Sequence, residues 1–136
     1  MRFDGFAAQA GFDHYFGLPY SNDMNAKRPG NPPLPLIRGE KTIETEPDQS
    51  LLTKRYTEEA IGFMKQNKEK PFFVYLPHTM IHGPMAASEA FKGKSASGLL
   101  GDVIEEEEIA DWESELGVPI VTHLHGGHTE SESDGL

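Results

Sequence analysis

Two histidines follow a short apolar run in the middle of the chain, and their positions suit proton transfer or anion binding. His78 and His82 lie within residues 77–84, directly after the run Phe72–Leu76. Proline at both ends of this stretch opposes a helix, so the pair is not expected to form a helical i, i+4 zinc site. An imidazole titrates near neutral pH and can donate a proton or bind an anion. From the spacing alone, a structural role in local hydrogen bonds explains the same residues.

A second group of histidines lies near the end of the sequence. His123, His125 and His128 follow the apolar run Val118–Val121. If residues 120–125 form a strand, His123 and His125 point to the same face, roughly 6 to 7 Å apart along the chain. That spacing suits two neighbouring metal ions with one imidazole each, and imidazole favours copper, zinc, iron or nickel. An exposed acidic tail that binds metals only adventitiously fits the same residues.

A helix is predicted ahead of the first histidine pair. Apolar residues recur there mostly at spacings of three and four, while charged residues occupy the other face; the apolar positions are Leu52, Tyr56, Ala60, Phe63 and Met64. This pattern predicts an amphipathic helix that is capped by Asp48 or Ser50 and ends near Asn67.

The run between this helix and His78 predicts a strand. Phe72–Leu76 is too short for a helix, is rich in aromatic residues and is bounded by Pro71 and Pro77. It is typical of a buried strand in a parallel sheet. A helix followed by a buried strand indicates the α/β class. Ligands of such sheets bind beyond the carboxyl ends of the strands, which is where His78 and His82 lie.

The first forty residues lack a sustained period of either 3.6 or 2. Aromatic residues stand among Gly, Pro and Asn over residues 11–24, which predicts a folded loop held by buried rings. Residues 25–39 contain four prolines and two glycines and are expected to form extended surface chain.

The charges divide the chain at about residue 104. All 12 Lys and Arg lie at or before Lys94, whereas residues 105–136 contain only acidic charges and account for the net charge of −10. Such a shift in composition is typical of a domain edge or a tail. The acidic run that begins at Glu105 is expected to be helical with solvated charges, and it has neither the spacing nor the glycine of a calcium loop.

Composition excludes several classes of function. The sequence has no cysteine, which rules out disulfides, thiolate zinc sites and a cysteine nucleophile. No apolar run is long enough for a membrane span, and residues 1–4 do not lead into a signal peptide. The acidic balance argues against nucleic acid as a partner, because such binding depends on Lys and Arg. The oligomeric state is left open.

Four blocks of the sequence resemble successive parts of a formylglycine-dependent sulfatase of the arylsulfatase type. They occur in the order of that family and span about residues 11–108: GFDHYFGLPYSNDM at 11–24, LLTKRYTEEA at 51–60, PFFVYLPHTM at 71–80, and the stretch from FKGKS at 91–95 to GDV at 101–103. The resemblance implies a partial alkaline-phosphatase-like α/β fold, hydrolysis of sulfuric esters, a sulfate ester substrate and a calcium ion. Complete members of the family are often exported.

The same resemblance assigns roles to the first histidine pair. His82, followed by Gly83 and Pro84, matches a family histidine that contacts the sulfate or the leaving oxygen, so it is the expected catalytic and substrate-binding residue. His78 matches the local sequence and is a weaker substrate-binding candidate with a structural alternative. The nucleophile motif, Cys or Ser followed by x-Pro-x-Arg, does not occur in the sequence, and most of the family's metal ligands are missing. Because covalent catalysis needs the attacking group, the chain is expected to be inactive by itself.

The C-terminal histidines carry a second resemblance. THLHGG at 122–127, followed by SESDG at 131–135, is similar to the first copper motif of a multicopper oxidase of the laccase type. The resemblance implies a cupredoxin-type strand and copper binding by His123 and His125, while His128 inherits no ligand role. A trinuclear copper centre needs further His-x-His motifs, so oxidase activity is not expected.

These observations predict two segments, a partial sulfatase-like one over residues 1–108 and an acidic junction with an oxidase-like end over 109–136. The leading hypothesis is an incomplete sulfatase-like polypeptide. The alternatives are a catalytically silent interaction fragment and a copper-binding fragment. Because the early strands of the family are missing from this sequence, the apolar faces of the run 72–76 and of the helix before it are expected to be exposed, which predicts self-association and marginal solubility.

Overall fold

A computed structural model describes residues 11–107 of the chain. Three short strands form one antiparallel sheet in the order β1-β2-β3: β1 is Phe16–Gly17, β2 is Pro35–Arg38 and β3 is Lys41–Thr45. A 3-10 turn, Gln49–Leu51, leads into helix α1, Leu52–Asn67, and helix α2 is Gly98–Glu107. This small sheet with two helices is consistent with the expected α/β class.

Strands β2 and β3 form a hairpin in which Arg38 pairs with Lys41 across a two-residue turn. Gly39 takes φ 59 in that turn, a conformation that glycine adopts without steric cost. The expectation that 25–39 is surface chain is wrong for its end, because Leu34 and Leu36 are fully buried. Pro35 is the first residue of β2, a position at which a missing N–H is tolerated.

Helix α1 confirms the predicted amphipathic helix and its end at Asn67. Its buried apolar side chains are Leu52, Tyr56, Ala60 and Met64. The Asp48 side chain accepts a hydrogen bond from the Ser50 N–H at 3.0 Å and thereby caps the 3-10 turn ahead of α1.

The predicted strand over residues 72–76 is wrong. The segment is extended, but no strand lies beside it in the described part of the chain, and residues 71–78 take part in no backbone-to-backbone hydrogen bond there. Phe73 and Tyr75 expose 73% and 68% of their surface. An apolar run becomes a strand only when neighbouring chain satisfies its backbone groups, and the small sheet here contains no such neighbour.

Two clusters of buried side chains form the core. In the first, Leu36, Leu52 and Tyr56 join the sheet to α1, with Leu76 packed against them. In the second, Met80, Ala87 and Val103 join the loop after residue 78 to α2. The chain on both sides of His82 is therefore anchored to the core, while His82 itself remains exposed.

Helix α2 begins at Gly98, seven residues before the acidic run that was expected to be helical, and Glu105–Glu107 form its last turn. The Asp102 carboxylate is buried and accepts hydrogen bonds from the N–H groups of Gly93, Lys94 and Ser95 at 2.7, 3.0 and 2.8 Å. These bonds tie the loop 93–95 to the helix. No helix within residues 11–107 is long and apolar enough to cross a membrane.

Candidate functional site

His82 lies in the loop between the extended segment and the second core cluster. Its Nδ1 is 3.0 Å from Oδ1 of Asn22, whose side chain is only 1% exposed. The ring itself is exposed, so Nδ1 is directed at the protein and the imidazole remains accessible from solvent. This arrangement can present Nε2 to a ligand as a hydrogen-bonding or proton-exchanging group.

Asn22 holds this position through two further hydrogen bonds. Its Nδ2 donates to Oε1 of Gln49 at 2.9 Å and to the backbone oxygen of Pro84 at 3.1 Å. Gln49 in turn donates from Nε2 to the backbone oxygen of Asn22 at 3.0 Å. The three hydrogen-bond partners come from the 3-10 turn and the His82 loop, so the Asn22 side chain joins three separate stretches of the chain.

A carboxylate and a guanidinium lie next to this network. Arg28 donates to Asp23 at 3.1 Å. The pKa of Asp23 is lowered, chiefly by a hydrogen bond from the Ser21 side chain and to a lesser extent by the positive charges of Arg28 and His82. Asp23 is therefore ionised at neutral pH. Its carboxylate places a negative charge near His82, and this carboxylate already forms an ion pair with Arg28.

His78 is placed differently from His82. Both of its ring nitrogens are closed off from solvent and have no hydrogen-bond partner within residues 11–107. Burial lowers the pKa of His78, and the Glu106 carboxylate opposes that effect. His78 is therefore a neutral, half-buried ring whose nitrogens are not accessible to a solute.

An open cleft of about 1020 Å³ lies between the loop at 11–18, helix α1 and the extended segment 71–77. Its walls contain the paired rings of Phe12 and Phe73, 6.1 Å apart, and of Phe63 and Phe72, 6.2 Å apart. His82 is not among the residues that line this cleft. The apolar surface of the cleft and the candidate histidine are thus separate features.

The carboxylate of Glu59 lies at the edge of the cleft. Its Oε2 accepts a hydrogen bond from Arg38 at 2.6 Å, and its Oε1 lies 3.0 Å from Nε2 of His14. The His14 ring also stacks on Phe63, with 5.8 Å between the ring centres. Because a carboxylate only accepts hydrogen bonds, the Nε2 of His14 is the donor in this contact.

No metal site is formed by the described residues, because none of their His, Asp and Glu side chains gather in groups of three that could hold an ion. The implied calcium ion therefore does not fit the side chains of residues 11–107. The copper prediction for His123 and His125 falls outside the described residues, and so do the strand expected there and most of the second predicted segment.

The sequence interpretation placed His82 correctly in a loop but did not anticipate its partners. Asn22 and Gln49 belong to stretches that were interpreted as an aromatic loop and the start of a helix. Asparagine is usually exposed, so its type gives no sign of burial. The available signal was the pattern of aromatic residues among Gly, Pro and Asn over residues 11–24, which predicted a folded loop without identifying which polar group it buries.

The chain is similar to several sulfatases. It is 33% identical to pig N-acetylgalactosamine-6-sulfatase over 107 residues, which cover 71% of this chain and 20% of that protein. It is 34% identical to human steryl-sulfatase over 102 residues, covering 75% of this chain and 15% of that protein. For human arylsulfatase D the identity is 31%, with 68% and 16% covered. The chain thus spans about a fifth or less of the length of these relatives, and no protein-family model matches it.

Proposed function

The chain is homologous to the sulfatases over 71% of its length, and from this premise we propose that residues 11–107 form part of a site that binds and hydrolyses sulfuric esters. The homology implies an alkaline-phosphatase-like α/β fold for the family. The small sheet and two helices are consistent with a piece of such a fold. Within that piece, His82 is the residue that contacts the sulfate or the leaving oxygen.

The observation that carries this proposal is the position of the His82 ring. It is exposed, it is held through Nδ1 by a buried amide, and it lies in a loop whose two sides are anchored to the core. A fixed imidazole loses less conformational entropy when it binds a ligand than a mobile one does. Its Nε2 can hydrogen-bond to a sulfate oxygen, and in the protonated state it can give a proton to the oxygen that leaves.

His78 was the weaker substrate-binding candidate, and the geometry favours a packing role for it. Its ring nitrogens are enclosed, and burial favours the neutral ring. In the proposed site it supports the loop that holds His82.

The remaining parts of the reaction do not come from residues 11–107. The sequence contains no Cys or Ser followed by x-Pro-x-Arg, and the described residues do not fit the calcium ion of the family. We therefore expect no turnover of a sulfate ester by the 136-residue chain alone, because the sequence lacks the attacking group of the family and residues 11–107 do not form a calcium site that would stabilise the transition state.

A titration with inorganic sulfate, followed by NMR of the histidine side chains, tests the proposal. We expect the signals of His82 to shift in a saturable way while those of His14 do not, because His14 is already bound to Glu59. His82→Gln identifies the responding signals by their disappearance, and His14→Gln should leave the response of His82 intact. Equal responses of both histidines would contradict a sulfate site at His82. In a parallel assay, calcium-dependent hydrolysis of an aryl sulfate by the chain would refute the expected inactivity.

The assignment of 109–136 to an acidic junction with a copper-binding end stays a prediction, as does the boundary at residue 108. The same holds for the alternative of a silent interaction fragment. None of the relatives named above supports a copper site, so we do not extend the proposal to one.

A further inference from the structure

We infer that Asn22 is a positioning residue that fixes the proton of the His82 ring on Nδ1, so that any exchange of a proton with a bound ligand takes place at Nε2. The inference deepens the proposed role of His82 and takes its functional meaning from it. The hydrogen-bond pattern on which it depends is a property of the chain with or without a ligand.

The orientation of the Asn22 amide follows from a backbone carbonyl. The backbone oxygen of Pro84 can only accept hydrogen bonds, so the atom of Asn22 that faces it at 3.1 Å must be the amide nitrogen. If the amide were turned over, two oxygens would face each other in a buried place, which would leave both unsatisfied. The other end of the same amide, which faces His82, is therefore the oxygen Oδ1.

A second carbonyl gives the same answer independently. The backbone oxygen of Asn22 accepts from Gln49, so the Gln49 atom that faces it is Nε2 and the other end of that side chain is Oε1. Oε1 can only accept, and the atom of Asn22 that lies 2.9 Å from it is therefore the donor Nδ2. The two hydrogens of that amide nitrogen are then both used, one by Gln49 and one by Pro84.

The proton position on His82 follows from this arrangement. Oδ1 of Asn22 is an acceptor only, and it lies 3.0 Å from Nδ1 of His82, so Nδ1 must carry a hydrogen. In the neutral ring the lone pair is then on Nε2, and in the charged ring Nε2 carries the exchangeable proton. Because neither amide titrates in the physiological range, the pattern does not depend on pH.

An amide is suited to a ring that must change its charge. A carboxylate in the place of Asn22 would favour the imidazolium and oppose the loss of its proton, whereas an uncharged acceptor holds the ring in both states. Asp23 is the charged group close to His82, and its pairing with Arg28 offsets part of its charge. Asn22 thus orients the ring and leaves it able to take up and release a proton at Nε2.

Nitrogen-15 NMR of the imidazole rings in the full 136-residue chain tests the inference. Above the pKa of the histidines, the spectrum should show His82 with its hydrogen on Nδ1. The same spectrum should show His14 with its hydrogen on Nε2, because that atom faces the Glu59 carboxylate. His82→Gln and His14→Gln assign the signals. A neutral His82 with its hydrogen on Nε2 would overturn the inference, and this measurement needs no variant of Asn22.

Two variants separate positioning from a general effect on structure. In Asn22→Ala the hydrogen of the neutral His82 ring should no longer be confined to Nδ1, while that of His14 should stay on Nε2. An unchanged hydrogen position on His82 in a folded variant would count against Asn22 as the cause. Asn22→Asp should keep the hydrogen of His82 on Nδ1, because a carboxylate oxygen in the same place also accepts it, with no change at His14. If a variant does not fold, the nitrogen-15 spectrum of the unmodified chain still shows whether the hydrogen of His82 is on Nδ1 or on Nε2. None of these readouts uses sulfate or turnover, so a failed sulfate titration would refute the proposed function and leave the positioning intact.

Discussion

Two glycines in helical positions should respond in opposite directions to the same substitution. Gly62 is an interior residue of α1, and a methyl group added there would meet no atom within 4 Å. Gly101 is a buried residue of α2, and a methyl group there would lie 2.8 Å from the Cβ atoms of both Ser95 and Ser97. Contacts this close cannot be kept, so the chain around Gly101 would have to move.

The expected magnitudes follow from these surroundings. Gly62→Ala should stabilise the fold by about 0.5–1 kcal/mol, because alanine reduces the entropy of the unfolded chain and favours a helix. Gly101→Ala should destabilise it by about 1–3 kcal/mol through overpacking, partly offset by the same helix preference. Ser95 cannot retreat easily, since the Asp102 carboxylate holds its N–H at 2.8 Å.

Urea unfolding followed by far-ultraviolet circular dichroism, at low protein concentration, measures both effects. The midpoint should rise for Gly62→Ala and fall for Gly101→Ala, with similar slopes. Stabilisation by both substitutions would refute the packing of the loop 95–97 against α2. A second check is Gly101→Ala combined with Ser95→Gly, which removes the close contacts with Oγ and Cβ of Ser95, keeps the one with Cβ of Ser97 and should recover part of the lost stability.

Three further predictions concern charge, association and metal binding. The pKa of Asp102 is lowered, mainly by the N–H of Ser95, so its stabilising effect is complete above the ordinary carboxyl pKa and is lost as the pH falls through the lowered value. The free energy of unfolding of Asp102→Asn should therefore be lower than that of the unmodified chain at pH 7, and the difference between the two should become smaller below about pH 4. A difference that grows in acid would contradict a stabilising, ionised Asp102. Replacing the exposed rings Phe73 and Tyr75 with serine should reduce self-association in sedimentation velocity, and an unchanged distribution would show that this surface is not the cause. Copper titration followed by electron paramagnetic resonance tests the copper prediction for His123 and His125: a single well-defined, stoichiometric species would support it, and only weak, heterogeneous binding would favour the adventitious alternative.

Local patterns predicted α1 well, because the burial of Leu52, Tyr56 and Met64 repeats the period of a helix that packs on one side. The run at 72–76 misled for a physical reason. Its composition favours a strand, but a strand also needs neighbours, and these are a property of the surrounding fold. The hairpin at 35–45 was missed because prolines mark chain that cannot continue a ladder, yet Pro35 is the first residue of β2, where a missing N–H is tolerated.

The candidate site shows the same division. His82 could be singled out from its place after an apolar run and from the resemblance carried by the surrounding residues. Its orientation could not, because it depends on an asparagine that lies 60 residues earlier. A buried amide is recognisable only through its partners, and those partners come together only in the folded chain.

The separation between these partners has a consequence for folding. Asn22 joins residues that are 27, 60 and 62 positions further along the chain, so all of its side-chain bonds close long loops. Long loops are closed late, since their entropic cost must be met before the contacts stabilise them. We therefore expect the orientation of His82 to be acquired only when the contacts across residues 22–84 have formed, so the Nδ1 hydrogen of His82 reports on tertiary structure rather than on local structure.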